Sequence, residues 1–226
     1  MSAEDRARSG FPEEPIYAEL ARLGKALASP VRLRLLDVLE SGELTVDELA
    51  ATAGLPVKNT SAQLQQLRAA HLVQSRRDGT RIHYRIASEA VSMFLGQLHD
   101  FALDTAAELR EQVTAHLGTG DQLEPVTADR LAELLADGNV TVIDVRTEAD
   151  YARGHIPGAL SVPIREMAER VQELGGHDMI VAYCQGPYCV SSPRAVRLMT
   201  EAGHTARILH GGWTAWARAG HRRQTA

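Results

Sequence analysis

The stretch Leu72-Val-Gln-Ser-Arg-Arg-Asp-Gly-Thr-Arg-Ile-His-Tyr-Arg-Ile86 decides how the first half of the chain is read. Two β-prone runs flank Asp78-Gly79, a pair that tolerates positive φ and so favours a tight hairpin turn. In the second run Ile82, Tyr84 and Ile86 alternate with Arg81, His83 and Arg85, giving one apolar and one basic face. Before the hairpin, Thr60, Leu64 and Leu67 recur at helical spacing, with Lys58, Asn59, Ser61, Gln63 and Gln65 off that stripe. Further upstream, Ser29-Pro30 suits a helix start followed by a stripe of Val31, Leu35, Val38 and Leu39. Thr45-Val-Asp-Glu48 fits a capping box that should open a short helix, and Gly54-Leu55-Pro56 a turn. Downstream, Phe94, Leu98, Phe101, Ala102, Leu109 and Val113 predict one long amphipathic helix over Glu89–Leu117.

The chain has 226 residues, enough for two small domains with a core each. Gly and polar residues between His116 and Pro125 mark the division. The organisation expected is a mobile segment over 1–16, a first domain over 17–117, a linker over 118–125, a second domain over 126–220 and a tail over 221–226. The formal net charge of −5 is unevenly spread: between Ala50 and Ala87 six basic residues stand against the single acid Asp78. Such a patch inside an acidic protein is the footprint of a local polyanion contact. No apolar run approaches the roughly 20 residues that cross a bilayer, and the N-terminus has no apolar signal region. The two cysteines, Cys184 and Cys189, lie close together, which argues against a secreted disulfide framework and for reactive thiols in a reducing compartment. A cytoplasmic location is expected.

Helix, turn, polar-faced helix and basic hairpin together describe a winged helix-turn-helix, mainly α with a β-hairpin wing. Short polar residues on the second helix suit base edges in the major groove, and hairpin arginines suit phosphates. The blocks Leu27–Leu36, Leu44–Ala50, Thr60–Leu64 and Leu67–Val73, followed by the wing, resemble the ArsR/SmtB family of repressors. The resemblance implies a homodimer that binds an inverted-repeat operator in double-stranded DNA and is released by an inducer. It places Lys58, Asn59, Ser61, Ala62 and Gln63 at recognition-helix positions, and the hairpin adds Arg76, Arg77 and Arg81. Gln63 stands where many members have histidine. The family's Cys-x-Cys metal ligands are missing from Glu43–Asp47, and His99, Asp100, Asp104 and His116 lack ligand spacing. Neither a metal nor a cofactor is expected.

In the second half, Val140–Val145 and Met179–Tyr183 read as buried strands, with Cys184 at the end of the latter and a helix over Pro193–Glu201. A cysteine between a strand end and a helix start should meet converging N–H groups that favour its thiolate. The blocks Ile143-Asp-Val-Arg146, Asp150-Tyr151, Gly154–Ala159, Tyr183-Cys184 and Gly211–Trp216 resemble the rhodanese family. That resemblance implies an α/β domain with a central parallel sheet, a catalytic position at Cys184 and organising roles for Asp144 and Arg146. A typical active loop reads Cys-x-x-Gly-x-Arg, whereas here Cys184-Gln-Gly-Pro-Tyr-Cys189 puts a second cysteine in the arginine's place. Arg194 is the candidate substitute cation, and Ser191 or Ser192 a candidate cap that would lengthen the loop. Longer loops in this fold go with phosphatase or arsenate chemistry, the minority alternative. Cys189 could resolve an oxidised or persulfidated Cys184. The function expected is a repressor whose second domain senses reactive sulfur or redox state, a small sulfur species or oxidant being the effector. The alternatives are a thiosulfate or persulfide sulfurtransferase with an autoregulatory DNA-binding head, or a second domain that only scaffolds or binds another effector.

Overall fold

The computed structural model describes residues 11–118, 125–174 and 179–225. Residues 1–10 of the expected N-terminal segment, 119–124 of the expected linker and the last residue of the tail lie outside the described residues. The chain divides into two compact units, one running to Leu39 and resuming over 43–88, the other formed by 40–42 and the chain from Glu89 onward.

The first unit opens with α1 (Glu14–Leu27), which starts inside the stretch assigned to a mobile terminus because Pro15 takes the first turn, where its missing N–H costs no bond. Then come α2 (Pro30–Leu39), β1 (Leu44–Thr45), α3 (Val46–Ala53), α4 (Val57–Ala69), β2 (Val73–Asp78) and β3 (Arg81–Ile86). The capping box is formed: Glu48 N–H donates to the Thr45 hydroxyl oxygen, and Thr45 N–H donates to Glu48 Oε2 at 2.7 Å. Gly54, in the left-handed region at φ 70°, closes α3. At the end of α4 His71 takes φ 57° while Leu72 N–H reaches back to Leu67 O, a six-to-one closure that turns the chain into the wing. Leu35, Leu39, Leu49, Leu64, Leu67 and Tyr84 form the buried centre.

The wing differs from expectation in two ways. Asp78 pairs with Arg81, so the two-residue turn is Gly79-Thr80 rather than Asp78-Gly79. The hairpin is also the outer part of a three-stranded antiparallel sheet, ordered β1-β3-β2, in which Leu44 pairs with Tyr84. Only Tyr84 of the apolar face is fully buried; Ile82 is exposed.

The second unit begins with α5 (Glu89–Thr105) and α6 (Ala107–Leu117). The single helix expected over Glu89–Leu117 is thus broken at Ala106, which adopts an extended φ/ψ of −103°, 106°. Thr105 Oγ1 donates back to Phe101 O at 2.7 Å, and Arg110 Nη1 donates to Leu103 O and Asp104 O, so side chains take up carbonyls at the end of α5. The buried residue of α5 is Leu95, whereas Phe94 and Phe101 of the expected stripe are exposed. The unit continues with β4 (Pro125–Val126), α7 (Ala128–Ala136), β5 (Thr141–Asp144), α8 (Glu148–Arg153), β6 (Leu160–Ser161), α9 (Met167–Arg170), a 3₁₀ turn (Val171–Glu173), β7 (Ile180–Tyr183), α10 (Ser191–Glu201), β8 (Ala206–Leu209) and α11 (Gly212–Arg218). The strands form a five-stranded parallel sheet ordered β4-β8-β7-β5-β6.

Both faces of this sheet are covered. Ile143, Ile180, Ala182 and Cys184 point into one core with Met167, Val196 and Met199; Val142, Val181 and Tyr183 point into the other with Leu131, Trp213 and Trp216. Burial on both faces explains the unbroken apolar strands. Cys184 therefore leaves the carboxyl end of the central strand, the end at which open parallel sheets place their ligands.

Candidate functional site

Two groups of residues carry chemistry, one in each unit. In the first, α4 buries Thr60, Leu64 and Leu67 and leaves Lys58 and Ala62 exposed, with Asn59, Ser61 and Gln63 half-buried. The structure joins two of the expected base-reading side chains: Gln63 Nε2 donates to Asn59 Oδ1 at 3.3 Å. Arg32 of α2, which the sequence reading missed, fixes them further by donating to Gln63 Oε1 at 3.0 Å and Gln66 Oε1 at 2.8 Å. No local pattern marks this role of Arg32, since Gln63 and Gln66 lie more than thirty positions away. On the wing, Arg76, Arg77 and Arg81 are all exposed. Arg76 pairs with Glu43 at 2.6 Å, and its hydrogen bond holds the Glu43 carboxyl below the usual carboxylate range. Arg77 Nε donates to Gly79 O at 2.9 Å, curling around the turn.

In the second unit the loop from Cys184 to Cys189 is fixed at its first end by α11. Trp213 N–H donates to Cys184 O at 2.9 Å and Thr214 N–H to Gln185 O at 3.1 Å. This close approach requires the Gly211-Gly212 pair, at φ 65° and 59°: a Cβ on Gly212 would lie 2.4 Å from Cys184 O. Cys184 itself is 1% exposed. Its Sγ faces two carbonyls, Cys189 O at 3.5 Å and Gly186 O at 3.9 Å, and meets the Ser192 hydroxyl at 3.2 Å. Burial first, then the bond to and charge of Cys189, push its thiol well above the ordinary range.

At Cys184 burial and the neighbouring Cys189 outweigh the bond with Ser192, which by itself favours the thiolate. For half-buried Cys189 the neighbouring Cys184, with Ser191 and Gln185 beside it, outweighs burial and brings the thiol down to about 6. Both cysteines are free thiols. Neither serine caps α10: the helix begins at Ser191 with Val190 at the cap and no side-chain cap bond, and the Ser192 hydroxyl meets Cys184 Sγ instead. Arg194 lies exposed on α10.

Beneath the loop, Asp144 and Arg146 form one buried unit. Arg146 Nε and Nη2 grip the Asp144 carboxylate, Nη2 also donates to Gly154 O at 2.6 Å, and the guanidinium stacks 4.7 Å from the Trp213 ring. Burial alone would lower the Arg146 pKa, but the bonds and charge of Asp144 outweigh it and raise it. Through Nη1, Arg146 reaches Gln185 Oε1 at 3.4 Å, so the pair positions the loop rather than touching either sulfur. Gln185 Nε2 is buried and has no hydrogen-bond partner among the described residues. At the other end of the loop, Tyr188 packs its ring edge-on against His99 of α5, and His116 Nε2–H of α6 donates to Tyr188 O at 3.0 Å. Among the described residues, no three His, Cys, Asp or Glu side chains cluster as metal ligands, and no helix is long and apolar enough to cross a membrane.

Comparison with known proteins agrees with both halves. A helix-turn-helix domain model matches residues 27–76 and a rhodanese-like domain model residues 127–219. The HTH-type transcriptional regulator Rv0324 of Mycobacterium tuberculosis is 41% identical over 202 residues, covering 89% of this chain and 88% of that protein. The chain belongs to this family of HTH-type transcriptional regulators. The regulator is also similar to the homodimeric winged helix-turn-helix DNA-binding domain of Mycobacterium bovis Mb0332, at 36% identity over 44% of this chain and 93% of that one, with a TM-score of 0.41. A rhodanese-like domain from Anabaena is 30% identical, covering 45% of this chain and 79% of that one, with a TM-score of 0.41. Both halves of the sequence reading hold at this level: a helix-turn-helix transcriptional regulator carries a C-terminal rhodanese-like domain.

Proposed function

We propose that this regulator is a homodimeric repressor of double-stranded DNA operators whose rhodanese-like domain senses reactive sulfur or redox state through Cys184 and Cys189. The observation that carries the reading is the cysteine pair itself, two free thiols in one loop at the carboxyl end of the central strand, with Cys184 Sγ 3.5 Å from Cys189 O. A rhodanese that binds an anionic donor uses a loop cation, whereas here Cys189 replaces that arginine and Arg194 is turned to solvent. Two thiols in contact suit a reversible switch better than steady turnover.

DNA contact is assigned to the outer face of α4, with Lys58, Asn59, Ser61, Ala62 and Gln63 at base edges, and to Arg76, Arg77 and Arg81 on phosphates. A dimer is supported by apolar side chains left in water on a single chain. Ile16, Leu20 and Leu23 form one exposed stripe along α1, and Phe94 and Phe101 another along α5.

The test is fluorescence anisotropy on operator fragments at one fixed salt concentration, with reduced and with polysulfide-treated protein. A reductant-reversible affinity loss of roughly tenfold, about 1.4 kcal/mol, is expected. Equal release from a Cys184→Ser/Cys189→Ser double variant would refute the sensing role.

A further inference from the structure

We infer that Arg32 orients the Gln63 amide so that α4 reads a G·C pair through donated hydrogen bonds, which makes Arg32 a positioning residue for operator specificity. This inference rests on the reading above that places Gln63 at a base edge, and it gives that contact its chemical partner.

The guanidinium of Arg32 is held by two helices at once. Its Nε donates to Ala26 O and its Nη2 to Lys25 O at 2.6 Å, both carbonyls in the last turn of α1, where the helix supplies no donors of its own and its dipole favours a cation. Its Nη1 carries the remaining bonds across to α4, to Gln63 Oε1 at 3.0 Å and Gln66 Oε1 at 2.8 Å. A planar fork with one edge pinned on α1 leaves the other edge little freedom to turn.

This arrangement fixes which way the amides face. A guanidinium has N–H donors and no acceptor, so the amide atom against it has to be the oxygen. Gln63 therefore turns Nε2 away from Arg32, and that nitrogen donates to Asn59 Oδ1, one helical turn back, at 3.3 Å. The relay has a direction: Arg32 engages the Gln63 oxygen, and Gln63 engages the Asn59 oxygen. What the two amides retain for a ligand is N–H, the second on Gln63 Nε2 and both on Asn59 Nδ2. Lys58, exposed beside Asn59, adds a further donor and no acceptor.

A glutamine reads adenine by donating to N7 while accepting from the N6 amino group, which needs its oxygen and its nitrogen together at the base edge. With Oε1 held against Arg32, that contact is closed. Guanine presents only acceptors in the major groove, N7 and O6, and suits a pair of donating amides.

The experiment selects a randomised double-stranded DNA library with the reduced full-length protein and sequences the bound fraction, at one salt concentration. The proteins compared are the wild type, Gln63→Ala, Arg32→Met and Arg32→Lys. The position that loses its preference in Gln63→Ala should be a G·C pair in the wild type, favoured over A·T by roughly tenfold. Arg32→Met frees the amide to turn, so that position should accept A·T about as well as G·C while preferences elsewhere in the site persist. Arg32→Lys, whose ammonium also only donates, should keep the G·C preference. Circular dichroism checks that Arg32→Met is folded; if it is not, the wild type against Gln63→Ala still decides. A Gln63-dependent A·T pair in the wild type, or an unchanged G·C preference in folded Arg32→Met, would overturn the inference and leave the α4 contact standing. So would a Gln63→Ala selection that matches the wild type while Lys58→Ala or Asn59→Ala shifts a position. If none of these three α4 variants shifts any position, the reading of α4 as the base-contacting helix fails, and the inference with it.

Discussion

Tyr188 and His99 meet edge-on, their ring centroids 5.5 Å apart and their planes at 65°. Tyr188 directly precedes Cys189, and His99 lies on α5, the helix that exposes Phe94 and Phe101. The reactive loop thus touches a helix proposed to face the second copy of the chain. Tyr188→Ala is expected to leave disulfide closure intact but shrink the operator-affinity change from roughly tenfold to under about twofold, read by anisotropy. A full response in this variant would remove Tyr188 from the coupling route.

Arg146 and Asp144 have side chains 3% and 0% exposed, so neither can recover water if the other is lost. Arg146→Met should cost about 3–5 kcal/mol because it strands a buried carboxylate. The double variant Asp144→Asn/Arg146→Met should cost less than the single one. Urea unfolding followed by fluorescence of Trp213 and Trp216, the chain's two tryptophans, measures both.

Cys189 ionises at about 6 in the folded chain and near about 8.5 when unfolded. Between those values the unfolded chain keeps a proton that the folded one has released. This group's contribution to stability is therefore complete above about 8.5 and lost as pH falls through 6. Cys184, raised by burial, has the opposite sign: its contribution is present at low pH and lost above its unfolded value. The urea midpoint should rise between about pH 6 and pH 8, and Cys189→Ser should flatten that rise. An equally steep rise in the variant would assign it to other groups.

Gly212→Ala combines a positive φ with a Cβ driven into Cys184 O. The left-handed conformation alone costs roughly 1–2 kcal/mol in a residue with a Cβ. Displacing the loop should lower the urea midpoint while circular dichroism still reports the sheet, and an unchanged midpoint would show that the fold does not depend on this close approach.

On the DNA face, Arg81→Ala should weaken binding evenly across operator sequences and reduce the salt slope by about one unit. Gln63→Ala should instead change base preference by about 1–3 kcal/mol at one position. Anisotropy with substituted operators separates the two, and a sequence-dependent effect from Arg81 would reassign it to base readout.

What was legible in the sequence had a local cause. The capping box at Thr45 and Glu48 shows in four residues, and the α4 stripe in a period of 3.6. Cys184 at a strand end follows from one apolar run. What was hidden was tertiary or a matter of hydrogen-bond direction. The break at Ala106 has no Gly or Pro to announce it, since Thr105 and Arg110 produce it with side-chain bonds to carbonyls. Arg32 finds Gln63 and Gln66 only once α2 and α4 are packed. The opposite shifts of the two cysteines depend on burial and on their mutual contact, and no spacing of residues encodes that.

The seating of Cys184 O and Gln185 O on α11 gives the loop a fulcrum. With its strand side held by α11 and Tyr188 held by His99 and His116, the loop is anchored at both ends, so a displacement at either end would be felt by α5 and α6 as well as by α11.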